Sequence, residues 1–209
     1  INEDGLILNI DPAVTRSYSG SGLTANGLIA GMGATLVNGT GFSSSNNGSF
    51  FFDGTNDFIN VGNGTTVQIT TGTISVWCRT SNAGSSYRGI VAKQFAYGLF
   101  YVDNVLTLYD WQIPRANSTI YNLADSKWQH VAFSFQNGVT NGSVLYLNGA
   151  GILTTTYSIS SNAYNLFIGA EANAFQYAAC NIAQTLIYNR VLSSQEVLQL
   201  YNTTKKRYQ

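Results

Sequence analysis

Short runs of β-forming residues recur along the whole sequence, and Gly, Asn and Ser residues separate them. Such runs at regular intervals, with turn signals between them, are typical of a β-sandwich or a β-barrel. No long linker or tandem repeat interrupts the series, so we expect residues 1–209 to form a single domain. We predict strands at residues 6–10, 49–53, 57–61, 73–79, 89–94, 98–102, 105–110, 128–136, 143–149, 151–157, 165–170 and 182–188.

Alternation of apolar and polar residues indicates how these strands are used. Side chains along a strand point to its two faces in turn. In the run 128–136, one face carries Val131, Phe133 and Phe135, and the run 73–79 shows the same pattern. We expect these apolar faces to pack between two sheets. The opposite faces carry mixed residues that could line a concave surface.

The end of the chain departs from the strand pattern. Ser193 and Glu196 form an S-x-x-E capping box, a signal for the first turn of a helix. Leu192 and Val197 flank that start as a hydrophobic staple, and apolar residues then recur with helical spacing. We therefore predict a short C-terminal helix that packs on the sandwich, since a helix of two or three turns does not persist alone.

The charge content excludes one class of partner. Ten basic residues balance ten acidic ones, and only 10% of the residues are charged, against about 25% in ordinary soluble domains. Nucleic-acid binders carry a basic excess that neutralises phosphates, so we expect no nucleic-acid partner. No apolar run reaches the ~18 residues that span a membrane, so we expect no membrane partner either. A surface of Asn, Ser, Thr and Gly is common in extracellular and virion proteins and in glycan binders.

The chain has two cysteines, Cys78 and Cys180, each in or beside a predicted strand. Two separated cysteines form neither a disulfide framework nor a CxxC metal site. Two buried free thiols are the favoured interpretation, and a bridge between neighbouring strands is the alternative.

Four segments carry a family resemblance: "SFFFDGTNDFINVG", "GTISVWCRT", "KWQHVAFSFQNG" with "LYLNG", and "NLFIGAEAN" with "CNIAQTLIYNRVLSSQEVLQLYN". In this order they resemble the laminin G-like branch of the concanavalin A-like lectin/glucanase superfamily, over residues 5–204. The resemblance implies an all-β jelly-roll sandwich of two antiparallel sheets, one of them concave, with a short C-terminal helix. The ending "QLYNTTKKRY" is similar to versions found in structural proteins of tailed phages.

The superfamily includes glycoside hydrolases, which resemble one another in a Glu-x-Asp-x-x-Glu cluster on one strand. Such enzymes need two carboxylates about 5–9 Å apart. No two carboxylates of this sequence stand at i, i+2 on a strand, and the single histidine, His130, has no adjacent serine nucleophile or Cys-His signature. We expect the protein not to be an enzyme.

The resemblance also implies a calcium site, because related proteins often bind calcium on the outer side of the sandwich. Oxygen ligands suit calcium, and the candidate ligands here are Asp11, Asp53 and Asp57. Ala183 and Gln184 stand where Asp and Glu are common in the last strand of the family. This departure weakens the calcium hypothesis, and Asp-Gly and Asn-Asp pairs are also ordinary turn formers.

Glycan binding requires aromatic platforms with hydrogen-bonding groups beside them. Trp111 is the leading candidate, since a Trp in a Pro-containing loop is harder to explain as core. Most aromatic residues of a β-sandwich nevertheless serve the core or cover the surface. The candidate glycan-binding residues are Trp111, Tyr109, Tyr87, Arg88, Tyr97 and Tyr177, and Phe95 and Tyr164 are further loop aromatics.

These observations predict a non-catalytic accessory protein of a virion surface, such as a decoration, fibre or adhesin component, that contacts glycans. Its partners would be other virion or surface proteins, polysaccharide and further copies of itself, and its location the virion surface or the extracellular space. The alternative is a secreted carbohydrate-binding or adhesion module of a larger extracellular protein. A glycoside hydrolase is the remote alternative.

Overall fold

A computed structural model of the chain describes residues 2–29, 31–81, 86–113, 115–123, 125–171 and 175–208. In chain order the strands are β1 (Leu6–Ile10), β2 (Thr24–Asn26), β3 (Gly33–Val37), β4 (Gly41–Ser43), β5 (Ser49–Asp53), β6 (Phe58–Gly62), β7 (Thr71–Arg79), β8 (Arg88–Lys93), β9 (Tyr97–Val102), β10 (Val105–Asp110), β11 (Arg115–Asn122), β12 (Gln129–Gln136), β13 (Ser143–Leu147), β14 (Ala150–Thr155), β15 (Leu166–Ile168) and β16 (Ala179–Tyr188). The helix α1 (Ser194–Thr204) follows the last strand, and single 3-10 turns cover Ser45–Asn47, Thr65–Val67 and Lys205–Arg207.

The strands form two antiparallel sheets. Sheet I has the order β14-β13-β12-β7-β16-β5-β4, and β1 pairs with the second half of β16. Sheet II has the order β11-β10-β9-β8-β15-β6-β3-β2. Neighbouring strands in both sheets are often distant in sequence, because the chain passes from one sheet to the other between β5 and β8. The predicted all-β sandwich with a short C-terminal helix is confirmed.

The hydrophobic core lies between the sheets, as the alternation predicted. Val131 and Phe133 of β12 and Val76 of β7 are fully buried in it from sheet I. Leu99 of β9 and Leu108 of β10 enter it from sheet II. Each strand therefore turns its alternate side chains away from this core, and those outward faces of the two sheets differ in what covers them.

Four strands have no counterpart among the predicted ones: β2, β3, β4 and β11. The sequences "TAN" and "GFS" have only three residues each, too few for an alternating pattern, and in "RANSTIYN" the β-forming residues are confined to "TIY". The four strands lie at or beside the edges of the sheets, where backbone pairing with one neighbour suffices to fix a strand. The β13–β14 hairpin matches its Asn-Gly signal, because Asn148 and Gly149 both have positive φ, at 51° and 82°.

The C-terminal helix starts as its sequence signals predict. The Ser193 side chain accepts a hydrogen bond from the Glu196 backbone N–H, and the Glu196 side chain accepts one from the Ser193 backbone N–H. Leu192, Val197 and Leu200 are buried in one cluster against sheet I. The helix thus covers part of the outer face of sheet I, and Leu192 and Val197 at its first turn contribute to this packing.

This cover corrects the expectation that the mixed faces of β7 and β12 line a concave surface. Trp77 of β7 is 2% exposed, and its indole N–H donates to Thr204 Oγ1 over 2.8 Å. Tyr208 stacks on the Trp77 ring with a centroid distance of 4.3 Å. The outward side chains of these central strands are therefore a second, smaller core beneath the C-terminal segment.

Both cysteines are free and buried, in agreement with the favoured interpretation. Burial raises the pKa of the Cys78 thiol to about 12 and raises that of Cys180 as well. Such thiols are uncharged at neutral pH and inert as nucleophiles.

In the part of the chain that the structure describes, α1 falls short of the length and apolar character that a membrane-crossing helix needs.

Candidate functional site

The outer face of sheet II carries aromatic rings over β9 and β10. Leu99 and Tyr101 of β9 point into the core, so Phe100 between them points outward. Tyr109 of β10 follows the core residue Leu108 and also faces outward. These two rings form the floor of a cleft, and the loops around them supply its walls.

One wall is the segment that follows β15, which crosses β8 at very short range. The Gly89 N–H donates to the Gln176 carbonyl over 2.8 Å. A Cβ atom at Gly89 would lie only 2.5 Å from the carbonyl carbon of Ala170, so a larger residue at position 89 would push the segment away. Gly89 thereby allows this segment to bring Glu171 over the outward-facing rings.

The resulting cleft has a volume of about 360 Å³, within the ~300–1,000 Å³ range of small-molecule sites. Aromatic rings and a few polar side chains share its lining, as is common for ligand sites. Its lining residues are Tyr87, Gln94, Phe100, Tyr109, Trp111, Glu171, Phe175 and Gln176.

The aromatic rings hold one another in edge-to-face contacts. The Tyr87 and Tyr109 rings lie 5.4 Å apart at 77°, and the Tyr109 and Trp111 rings lie 5.7 Å apart at 79°. Phe100 contacts Trp111 at 5.6 Å. Edge-to-face contacts stabilise an aromatic pair beyond the stabilisation that burial of the rings provides. The rings therefore form a connected surface that is fixed before any ligand arrives.

Glu171 is the carboxylate of the cleft, and the residue is only 6% exposed. The Trp111 indole N–H donates to Glu171 Oε1 over 3.3 Å. Burial raises the pKa of the Glu171 carboxyl, and the hydrogen bonds from Trp111 and Gln94 oppose that shift. The Glu171 carboxylate can still accept further hydrogen bonds, because a carboxylate has about four lone-pair sites and these bonds use only some of them.

Three of the predicted glycan-binding residues, Tyr87, Tyr109 and Trp111, come together in this cleft. Arg88 and Tyr177 lie beside it and contact each other instead: Arg88 Nη1 donates to the Tyr177 carbonyl over 2.8 Å. The Tyr177 ring also packs on Phe58.

Tyr97 is a correction to the predicted set. Its side chain is fully buried, and its hydroxyl donates to the Val67 carbonyl over 2.8 Å. The residue opposes Lys93 across the β8–β9 pair and points into the core. A ligand at the surface cannot reach it.

Sequence reasoning missed five members of the site: Glu171, Gln94, Phe100, Phe175 and Gln176. Alternation in "YGLFYV" places Phe100 on the face opposite Leu99, so that strand did contain a usable signal. Glu171 and Phe175 have no such signal, because the close crossing at Gly89, not local sequence, places their segment over the sheet.

The three candidate calcium ligands do not form one site. Asp11 accepts two hydrogen bonds from Arg207, at 2.8 and 2.9 Å. Asp57 is 2% exposed and accepts backbone N–H bonds from Gly39 and Asp53. Among the residues that the structure describes, no group of three or more His, Cys, Asp or Glu side chains is placed to hold a metal ion. These carboxylates serve to fix loops and the C-terminus.

His130 does have a serine beside it, which corrects the expectation from the sequence. Its Nε2 lies 2.9 Å from Ser75 Oγ, across the β7–β12 pair. Both residues are almost completely buried, at 1% and 3% exposure. Burial lowers the pKa of His130 to about 3. The pair is closed off from substrate beneath the C-terminal segment.

One family model matches the chain: the concanavalin A-like lectin/glucanases superfamily, over residues 37–198. No curated protein matches the sequence.

Several solved structures share the fold. The binding domain of Paraclostridial Mosquitocidal Protein 1 superposes with a TM-score of 0.73 at 16% identity, over 95% of this chain and 52% of that one. A Trypanosoma rangeli sialidase mutant with trans-sialidase activity gives a TM-score of 0.78 at 13% identity, over 100% of this chain and 34% of that one.

Domain 4 of AbnA, a GH43 extracellular arabinanase from Geobacillus stearothermophilus, was solved in complex with arabinotriose. It gives a TM-score of 0.72 at 14% identity, over 96% of this chain and 100% of that one. The chain thus spans about half of the mosquitocidal binding domain, a third of the sialidase and all of the arabinanase domain. At these identities the likeness establishes the fold.

Proposed function

The chain belongs to the concanavalin A-like lectin/glucanases superfamily, and from that premise we propose that it is a non-catalytic carbohydrate-binding module. The aromatic cleft on sheet II is its binding site. The observation that carries this proposal is the Trp111 indole, which borders the cleft while its N–H is bonded to the buried Glu171 carboxylate.

A sugar ring has apolar C–H faces and hydroxyl edges, so it suits a site that combines aromatic walls with a few acceptors and amides. Tyr109 and Trp111 provide the apolar contact, and Glu171, Gln94 and Gln176 provide hydrogen-bonding groups. The rings are already fixed by their mutual contacts, so binding loses little side-chain entropy. A solved relative of the same fold, domain 4 of the arabinanase, is in complex with arabinotriose, which supports this reading.

The charge of the cleft favours a neutral glycan. Glu171 is the ionisable carboxylate of the described lining, and no Lys or Arg is among the described lining residues. An acidic sugar would place its own carboxylate against Glu171 in a partly desolvated site, and like charges there repel. We therefore propose neutral hexose or pentose chains as the ligand class.

The same lining argues against hydrolysis. A glycosidase needs an acid and a second carboxylate about 5–9 Å away, and Glu171 has no carboxylate partner among the described residues of the cleft. The neighbouring Asp110 is committed elsewhere, because its oxygens accept N–H bonds from Gln112, Ile113 and Ser158.

We further propose that the protein is an accessory component of a virion surface. The low share of charged residues supports this, as does the ending of the sequence, which resembles that of phage structural proteins. A secreted adhesion module is the alternative. Immunogold labelling of native material decides between them: label on particles supports the virion setting, and label confined to secreted, particle-free material contradicts it.

The binding proposal is tested on a glycan array that includes neutral and acidic polysaccharides, followed by calorimetry. Trp111→Ala is expected to lower the affinity for a neutral glycan by at least about tenfold, equal to 1.4 kcal/mol. Phe51→Ala is the matched control, because Phe51 is a 47% exposed aromatic residue on sheet I, outside the cleft. Absence of binding to every glycan, or equal losses in both variants, would overturn the proposal.

A further inference from the structure

We propose that the cleft continues onto a second aromatic subsite, formed by Phe95 and Tyr164, and that its ligand is an extended neutral polysaccharide chain that occupies both. This inference rests on the proposed function. It adds that the protein selects for chain length, because a short oligosaccharide held in the cleft leaves the Phe95–Tyr164 subsite empty.

The two rings of this subsite are large, exposed and paired. Phe95 is 40% exposed and Tyr164 is 48% exposed. Their centroids lie 5.3 Å apart at an interplanar angle of 53°. Phe95 comes from the β8–β9 turn and Tyr164 from the segment that leads into β15, so two distant parts of the chain meet to form one exposed aromatic surface.

The subsite adjoins the cleft at the end that Gln94 and Trp111 border. Phe95 directly follows Gln94, a lining residue of the cleft, and consecutive Cα atoms are only about 3.8 Å apart. Gln112 directly follows Trp111, and its side-chain amide donates to the Phe95 carbonyl over 3.0 Å. A chain that leaves the cleft past Trp111 therefore meets the Phe95–Tyr164 rings next.

The backbone of Phe95 has an unfavourable conformation for its residue type. Among the described residues, ten other than Gly have positive φ, and eight of these are Asn, Asp or Ser, which tolerate it. The other two are Phe95 and Gln176, both at φ of 59°. Phe95 lies at one end of the cleft, and Gln176 is part of its lining. Strained bulky residues cluster at ligand sites, and Gly would fit position 95 without strain.

Several hydrogen bonds hold the subsite in place. Asn162 Nδ2 donates to the Gln94 carbonyl over 2.9 Å, and Asn162 Oδ1 accepts from the Tyr164 backbone N–H over 3.1 Å. Lys93 Nζ donates to the Tyr164 carbonyl. Lys93 is fully buried, so it anchors this loop and presents no charge to a ligand. The rings are thus preorganised, which lowers the entropy cost of binding a long chain.

The test is a titration of oligosaccharide ladders by calorimetry, with arabino-, cello-, manno- and galacto-oligosaccharides of two to eight units as probes. We expect the affinity of the wild type to rise at least about tenfold from the shortest to the longest member of the recognised ladder. Phe95→Gly and Tyr164→Ala are expected to remove that rise and to leave the affinity for the shortest member unchanged. Phe95→Gly should also raise the melting temperature, because it relieves the positive φ.

The outcomes separate this inference from the proposed function. Absence of binding in every ladder, or binding that Trp111→Ala does not weaken, overturns both. Binding that depends on Trp111 but is equal for short and long chains, or a length dependence that survives in Phe95→Gly and Tyr164→Ala, overturns the second subsite alone. Phe51→Ala again serves as the control outside the site and should retain both affinity and length dependence.

Discussion

His130 Nε2 lies 2.9 Å from Ser75 Oγ, both residues are buried, and the Tyr201 ring of the C-terminal helix packs on the imidazole. This is the spacing of a base and a nucleophile, yet a substrate has no route to it. The pair instead joins β12 to β7 on the covered face of sheet I. Its chemistry therefore belongs to the stability of the fold.

The first prediction concerns the response of the fold to acid. Burial holds the pKa of His130 at about 3, below the usual 6.5, so the unfolded chain binds the proton more readily. The stability that the neutral ring contributes is present above pH 6.5 and is lost as the pH falls towards 3, at up to about 1.4 kcal/mol per pH unit. Denaturant unfolding of the wild type between pH 7 and 4 measures this slope.

His130→Gln is the matched variant, because its amide can replace Nε2 beside Ser75 but does not titrate. We expect a lower stability at pH 7 and a flatter dependence between pH 6.5 and 4. An unchanged slope would show that other groups cause the acid sensitivity.

The second prediction is that Glu171→Gln stabilises the fold at neutral pH. Burial raises the pKa of Glu171, so protonation of the carboxyl stabilises the folded state. This stabilisation is complete below the ordinary Glu pKa of about 4.3 and is lost as the pH rises through the pKa of the folded state. The amide avoids this loss and still accepts from Trp111. Thermal melts at pH 4 and pH 7 should show a gain for the variant that is larger at pH 7, and a gain confined to pH 4 would contradict the assignment.

The third prediction is that Gly89→Ala disrupts the cleft. Its Cβ would meet the Ala170 backbone at 2.5 Å, so the segment carrying Glu171 must move, at a cost of about 1–3 kcal/mol. Gly33→Ala is the control, since a Cβ there meets nothing within 4 Å. Urea unfolding and glycan titration of both variants provide the measurement. Equal, small effects would show that the segment tolerates displacement.

The fourth prediction is that Ser193→Ala weakens the C-terminal helix by about 1 kcal/mol, because it removes the cap acceptor for the Glu196 N–H. Arg190 and Ser193 hold the pKa of Glu196 at about 2. The ionised carboxylate therefore stabilises the helix start above the usual pKa of Glu, and this stabilisation is lost as the pH falls through about 2. Chemical denaturation at pH 7 is the measurement. A loss below about 0.3 kcal/mol would mean that apolar packing alone holds the helix.

Local patterns predicted the elements whose sequences carry strong signals. Alternation placed Val131 and Phe133 in the core, and the capping box placed the start of α1 at Ser193. The same patterns did not identify β11, because the β-forming residues of "RANSTIYN" are confined to "TIY" near its end, and pairing with β10 extends the strand over the rest.

The candidate site was predictable only in part, for a related reason. Trp111 was identifiable because its surroundings are unusual for a core residue, and it does border the cleft. The burial of Tyr97 was missed although alternation along β9 places it on the same face as the core residue Leu99. Glu171 depends on a crossing between segments separated by about eighty positions in sequence, and composition and periodicity do not encode such a crossing.

The two ends of the described chain lie on the side of the molecule opposite to the cleft. Arg190 binds the Asp4 carbonyl, and Arg207 binds Asp11, so both ends rest against sheet I and its covering helix, while the cleft opens from sheet II. A tether attached at either end would therefore leave the aromatic face pointing outward. Many copies fixed to one support would then present their clefts in a common direction, and a long glycan could engage several at once with an avidity far above that of one copy.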